Sequence, residues 1–111
     1  MIEPRLKTEI RVSAHLRRAQ AGGAFATIVR KGDPDAGAVA VKLFIARGDV
    51  RLYIQSRDLD GNPIWREPFG DDSESDDIEA KIDRWIEKES AIDPDIWVVE
   101  IEDREGRAFL E

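Results

Sequence analysis

The sequence predicts an α+β fold: an antiparallel β-sheet of five to six strands packed against two helices, in the order α-β-β-β-β-α-β(-β). Two stretches, Thr8 to Ala21 and one that follows an Asp76 N-cap and stops by about Ile92, set apolar residues at helical spacing. Short runs rich in valine, isoleucine and aromatic residues alternate with polar ones between and after them. Clusters of Gly, Pro, Asp and Asn separate those runs, as tight turns demand.

The first helix carries two apolar stripes, Leu6, Ile10, Ala14 and Ala21 on one side and Val12, Leu16 and Ala19 on the other, which predicts burial on two sides. Gly22-Gly23 supplies its left-handed end, and Arg17 and Arg18 complement the dipole in the last turn. A strand follows over Ala24 to Arg30, then a turn-rich loop from Lys31 to Gly37. The second strand, Ala38 to Ala46, places Val39, Val41, Leu43 and Ile45 on one face and Lys42 on the other. After the Arg47-Gly48-Asp49 turn, Val50, Leu52 and Ile54 alternate with Arg51, Tyr53 and Gln55 in a third strand. A turn from Asp58 to Pro63 leads to a short fourth strand, Ile64 to Glu67, and the four strands read as an antiparallel meander.

Residues 70–79 hold six acids, no base and almost no apolar residue and read as a solvated loop, with Asp76 and Glu79 spaced as a capping box. In the helix they introduce, Ile78, Ile82, Trp85 and Ile86 form one stripe, and burying these four is worth roughly 6–12 kcal/mol before ordering entropy is counted. Pro94 disfavours helix at Asp93, so the helix stops near Ile92. Ile96 to Asp103 is a strand with Trp97, Val99 and Ile101 on one face and Val98, Glu100 and Glu102 on the other. A turn over Asp103 to Gly106 lets Arg107 to Leu110 pair back as a sixth strand.

The 111 residues suit a single domain spanning 1–111, and 37% charged residues suit a heavily solvated exterior. With no cysteine, disulfides, thiolate zinc sites and cysteine nucleophiles are excluded. The N-terminus has no signal-peptide pattern, and the longest apolar run, Gly37 to Ile45, is interrupted by Lys42; a cytoplasmic, non-membrane protein is expected. The net charge of -7 divides unevenly: residues 1–31 hold seven Lys/Arg against Glu3 and Glu9, or +5, and residues 32–111 hold ten bases against 22 acids, or -12. Pairing of the basic helix within its own molecule is the favoured explanation, because it requires no partner.

Three segments look familiar: Arg5-Leu6-Lys7-Thr8-Glu9-Ile10; Arg30-Lys31-Gly32-Asp33 with Gly37; and Asp93-Pro94-Asp95-Ile96-Trp97-Val98-Val99-Glu100-Ile101-Glu102-Asp103 followed by Gly106-Arg107. Together they resemble a small bacterial family, domain of unknown function family 1491, over about Arg5 to Phe109. The resemblance implies a free-standing bacterial domain. It carries no assigned activity, cofactor or partner, and so transfers no functional residues.

Candidate site residues are few. His15, the only histidine, lies about one helical turn from Arg11 and from Arg18, a cluster that could hold an anion such as phosphate, with Arg57 as a further cation. The plainer reading, a solvated helix edge, is preferred. Asp58, Asp60 and Asn62 sit at alternate positions like calcium-loop ligands, but Gly61 falls at the fourth place and Phe69 at the twelfth, so a β-turn is expected there and over Asp33-Pro34-Asp35. Glu100 and Glu102 share a strand face that alternation predicts to be exposed. Trp65, on a short strand, is read as a core residue first and as a partner-binding anchor at the sheet margin second.

The function that follows is a non-enzymatic cytoplasmic domain that binds another protein, a second copy included, through a sheet edge or the Trp65 region. The alternative is an anion- or phosphate-ligand-binding domain, or a small enzyme, using Arg11, His15, Arg18 and Arg57. No catalytic signature, metal site or cofactor is read, and enzymatic activity is left open. A pI near 4.8 disfavours nucleic acid as a partner.

Overall fold

The structure, a computed structural model, describes residues 6–70 and 76–111, apart from the side chain of Arg57. The acidic loop expected over residues 70–79 therefore lies partly outside the described residues, at 71–75. Helix α1 (Thr8–Ala21) has the predicted bounds, and α2 (Ile78–Ile92) ends where predicted but starts one residue later than an Asp76 N-cap implies. Five strands accompany them: β1 (Phe25–Arg30), β2 (Val39–Ala46), β3 (Asp49–Arg57), β4 (Pro63–Arg66) and β5 (Trp97–Glu102). The α+β class and the order of elements are as predicted.

The sheet, ordered β1-β5-β2-β3-β4, corrects one expectation. Strands β2, β3 and β4 form the antiparallel meander, but β5 enters between β1 and β2, antiparallel to the first and parallel to the second. The sheet is mixed. Ile96 to Val99 are buried without interruption, the pattern of a strand covered on both faces rather than one at an edge. Nor do residues 107–110 form a sixth strand; they leave the sheet and cross towards α1.

Alternation along β2 assigns the helices to opposite faces. Val39, Val41 and Leu43 pack with Val12 and Ala19 of α1, while Ala40 packs with Ile78 and Ile82 of α2. Only one stripe of α1 is covered. Val12, His15 and Ala19 are buried, whereas Leu6 and Ile10 are 63% and 48% exposed, which corrects the expected burial on two sides. The predicted capping box is also absent: Asp77 is the N-cap of α2, without a side-chain cap bond.

The segments that carried the family resemblance meet where the β1–β2 loop closes on the start of β5. Asp33 N donates to Asp95 O at 3.0 Å, Trp97 Nε1 donates to Asp33 O at 2.7 Å, and Thr8 Oγ1 donates to Gly37 O at 3.3 Å. The Asp33 carboxylate accepts the N–H groups of Asp35 and Ala36, the turn expected there. Asp58 does likewise with Asp60 and Asn62, and these bonds hold its carboxyl below the ordinary carboxylate range.

Candidate functional site

Arg11, His15 and Arg18 follow one another at helical spacing along α1, and the structure brings them onto one object, the chain's own residues 108–111. Arg11 Nη2 and Nε donate to Glu111 Oε1 at 2.8 and 3.1 Å. His15 Nε2 lies 2.7 Å from Ala108 O. A carbonyl can only accept, so Nε2 carries the proton in this arrangement. Arg18 Nη2 and Nε donate to Phe109 O at 3.1 and 3.3 Å. The basic helix is thus engaged within its own molecule, by this strap of backbone and one carboxylate, with a further exposed pair between Lys7 and Asp35 at 3.6 Å.

The strap is anchored at its start. The buried carboxylate of Asp103 accepts Arg107 N at 2.8 Å and two guanidinium nitrogens at 2.9 and 3.0 Å, which lowers the Asp103 pKa and raises that of Arg107. Arg107 Nη2 also donates to Gly22 O at 3.0 Å, and the guanidinium stands 5.0 Å from the centroid of the Phe109 ring. That ring occupies space a side chain on residue 22 would need, which only glycine leaves open. Phe109 itself has φ 55°, the one non-glycine residue with positive φ among the described residues.

His15 is only 4% exposed, which corrects the preference for a solvated helix edge. Its pKa is lowered, chiefly by burial and also by Arg18; the bond to Ala108 and the charge of Glu111 oppose this. A depressed histidine pKa means the unfolded chain takes up the proton first, so stability present above the ordinary value of 6.5 is lost as pH falls through the lowered one. Urea-unfolding midpoints are therefore expected to fall between pH 7 and pH 5, and His15→Gln should flatten that part of the profile. An unchanged slope in His15→Gln would show that His15 is not the group responsible.

Trp65 joins the same neighbourhood. It is half-buried against the α1-side core, and with Arg11, Val12, His15, Val39 and Glu111 it lines a cavity of about 10 Å³, room for no more than one water. Arg57 ends β3 opposite Pro63, and its side chain is outside the description. Gln55, Ser56 and Pro63 beside it line a cleft of about 270 Å³ together with Arg11.

One polar centre escaped the sequence reading. Lys42, 7% exposed in the middle of β2, donates from Nζ to Glu79 Oε2 and Asp83 Oδ1 of α2, both at 2.8 Å. Burial works against its charge, yet the bonds to Asp83 and Glu79 and the charge of Glu100 prevail and raise its pKa. Glu100 is accordingly half-buried, whereas Glu102 is exposed as expected. The available signal was a lone lysine in an apolar strand together with acids one helical turn apart at Glu79 and Asp83. Among the described residues, no group of three or more His, Cys, Asp or Glu is placed to hold a metal ion. No helix among them is long and apolar enough to cross a membrane.

Fold and site together define a small α+β domain in which a cationic helix face grips the chain's own polypeptide. The chain belongs to the DUF1491 family, "Protein of unknown function (DUF1491)", which matches residues 6–111. It is similar to the crystal structure of a DUF1491 family protein from Caulobacter crescentus CB15, with 50% identity, TM-score 0.86, and 96% and 95% of the two chains covered. An NMR structure of a DUF1491 family protein from the same organism shows 47% identity, TM-score 0.79 and 97% and 94% coverage. A solution structure of an A. tumefaciens protein shows 31% identity, TM-score 0.75 and 96% and 93% coverage. No curated protein matches the chain.

Proposed function

We propose that this chain is a cytoplasmic protein-interaction domain that self-associates through the open edge of β1. The observation that carries this reading is the surface of that strand. Phe25 and Val29, 65% and 57% exposed, lie at equal distances along the chain from Thr27, on the strand that ends the sheet. A second copy laid antiparallel about a two-fold axis at Thr27 sets Phe25 of each copy against Val29 of the other. Such isologous pairing makes one continuous sheet and gives both apolar residues a cross-strand partner.

Further features support it. The opposite edge, β4, is four residues long and begins at Pro63, so it offers a poor template. On the other, α1-facing side of β1, Ile10, Ala14 and Ile28 line a cleft of about 340 Å³, with Glu9, Arg17 and Lys31 around it. Two-fold pairing turns the Glu9 end of one α1 towards the basic end of the other. The contact of Gln20 Nε2 with Ala26 O, at 3.4 Å, is long and easily exchanged.

Sedimentation equilibrium at tens of micromolar is expected to show a dimer, and Phe25→Glu to give a monomer with unchanged far-ultraviolet circular dichroism. A wild-type chain that stays monomeric up to millimolar concentration would remove this reading.

A further inference from the structure

We infer that the groove between α1 and the sheet is a receptor for an extended acidic peptide, and that residues 108–111 are its resident blocking ligand. The partner segment that fits presents an aromatic and an aliphatic side chain followed by a carboxylate, as Phe109-Leu110-Glu111 does. This goes beyond self-association at β1 and uses other residues.

What α1 recognises in the strap is what many extended peptides offer. Two of its three contacts are to backbone carbonyls, Ala108 O and Phe109 O, and the third is to a carboxylate. The donors do not depend on the strap for their placement, since Val12 and Ala19 hold the helix on the sheet. In return, Ala108 sits in the buried core and Phe109 and Leu110 pack against it, so the strap is held chiefly by its side chains. Residues 108–111 join no strand, so beyond the Arg107 clamp the polar contacts that hold them come from side chains. Phe109 is held at φ 55°, a conformation unfavourable to any residue with a Cβ, and release removes that strain.

Charge complementarity sets the kind of partner. Arg11 is neutralised by Glu111, but among the described residues Arg18 donates to the Phe109 carbonyl and to no carboxylate. A peptide with a second acid opposite Arg18 therefore gains a charge-assisted bond that the strap lacks.

The test uses the full chain and a fluorescein-labelled synthetic peptide of residues 107–111, followed by anisotropy. Glu111→Lys puts a cation against Arg11 at a half-exposed position and so detaches the strap without touching the core. Leu110→Asp serves as a second detaching variant. Peptide affinity is expected to rise about tenfold in Glu111→Lys over the wild type, because a ligand that competes with a resident one binds in proportion to the open fraction. Adding Arg11→Glu and Arg18→Glu should abolish binding. Equal affinity in wild type and Glu111→Lys, binding that survives both arginine reversals, or displacement of the peptide by inorganic phosphate at matched concentration would each overturn the proposal. The last would instead indicate a small-anion site. Sedimentation of Glu111→Lys is expected to match the wild type, so loss of self-association and loss of peptide binding are told apart.

Discussion

Gly32→Ala is expected to destabilise the chain by about 3 kcal/mol, lowering Tm by roughly 12 °C in a domain of this size. A Cβ on residue 32 would overlap the backbone carbonyl of Asp95 and come within 2.6 Å of the Ile96 carbonyl carbon. Neither neighbour is a flexible side chain that can swing aside. The Asp95 carbonyl also accepts the Asp33 amide, and Asp33 O in turn receives the Trp97 indole, so relief by backbone movement breaks the seam between the β1–β2 loop and β5. Gly37→Ala meets the same carbonyl and approaches Trp97 Cδ1 to 2.8 Å, and a similar loss is expected. Gly61→Ala is the control. It has open space around it and a φ of +83°, so only conformational strain opposes it, and about 1 kcal/mol is expected. Thermal denaturation of the three variants side by side checks this order. A Gly32→Ala protein as stable as Gly61→Ala would refute the close approach.

Removing both acids that hold Lys42, as Glu79→Ala with Asp83→Ala, is expected to cost about 3 kcal/mol, whereas Lys42→Met should cost less than about 1 kcal/mol. The asymmetry follows from where the charges sit. The Lys42 side chain is 8% exposed, while Glu79 and Asp83 are 47% and 55% exposed. Carboxylates freed by Lys42→Met rehydrate in place, and methionine keeps the length and apolar stem of the lysine. An ammonium on a side chain 8% exposed then loses both charged partners, and among the described residues Glu100 is the further acid that acts on it. The pH dependence carries the opposite sign to that of His15. A raised lysine pKa gives stability that is fully present below the ordinary 10.5 and lost as pH rises through the higher folded value. Lys42→Met should therefore lack the alkaline loss that the wild type shows. Urea titrations at neutral and alkaline pH measure both effects. If the double alanine variant lost less stability than Lys42→Met, Lys42 would not be the buried charge that α2 must satisfy.

The first helix was legible to the residue and the second to within one, as were the β2–β4 part of the meander and the turns at Asp33 and Asp58, because each depends on side chains within a few positions of one another. The three members of the candidate site on α1 were legible for the same reason. Their surroundings were not. His15 reads as surface in a helical wheel beside Arg11 and Arg18, and it is buried because Ala108, 93 residues away in sequence, lies over it. Lys42 reads as the outward residue of an alternating strand, and it is buried because α2 crosses that face with Glu79 and Asp83.

By itself, then, the sequence determined the helices and strands, their order and the α+β class, since hydrophobic period and turn chemistry are local properties. Tertiary structure alone decided which of two apolar stripes on α1 faces inward, that β5 lies between β1 and β2, and that residues 108–111 cover the basic face. Each of those outcomes is a competition between surfaces distant along the chain. It is resolved by how much apolar area and how many polar groups each arrangement satisfies at once, and no short window of residues contains both sides of that comparison.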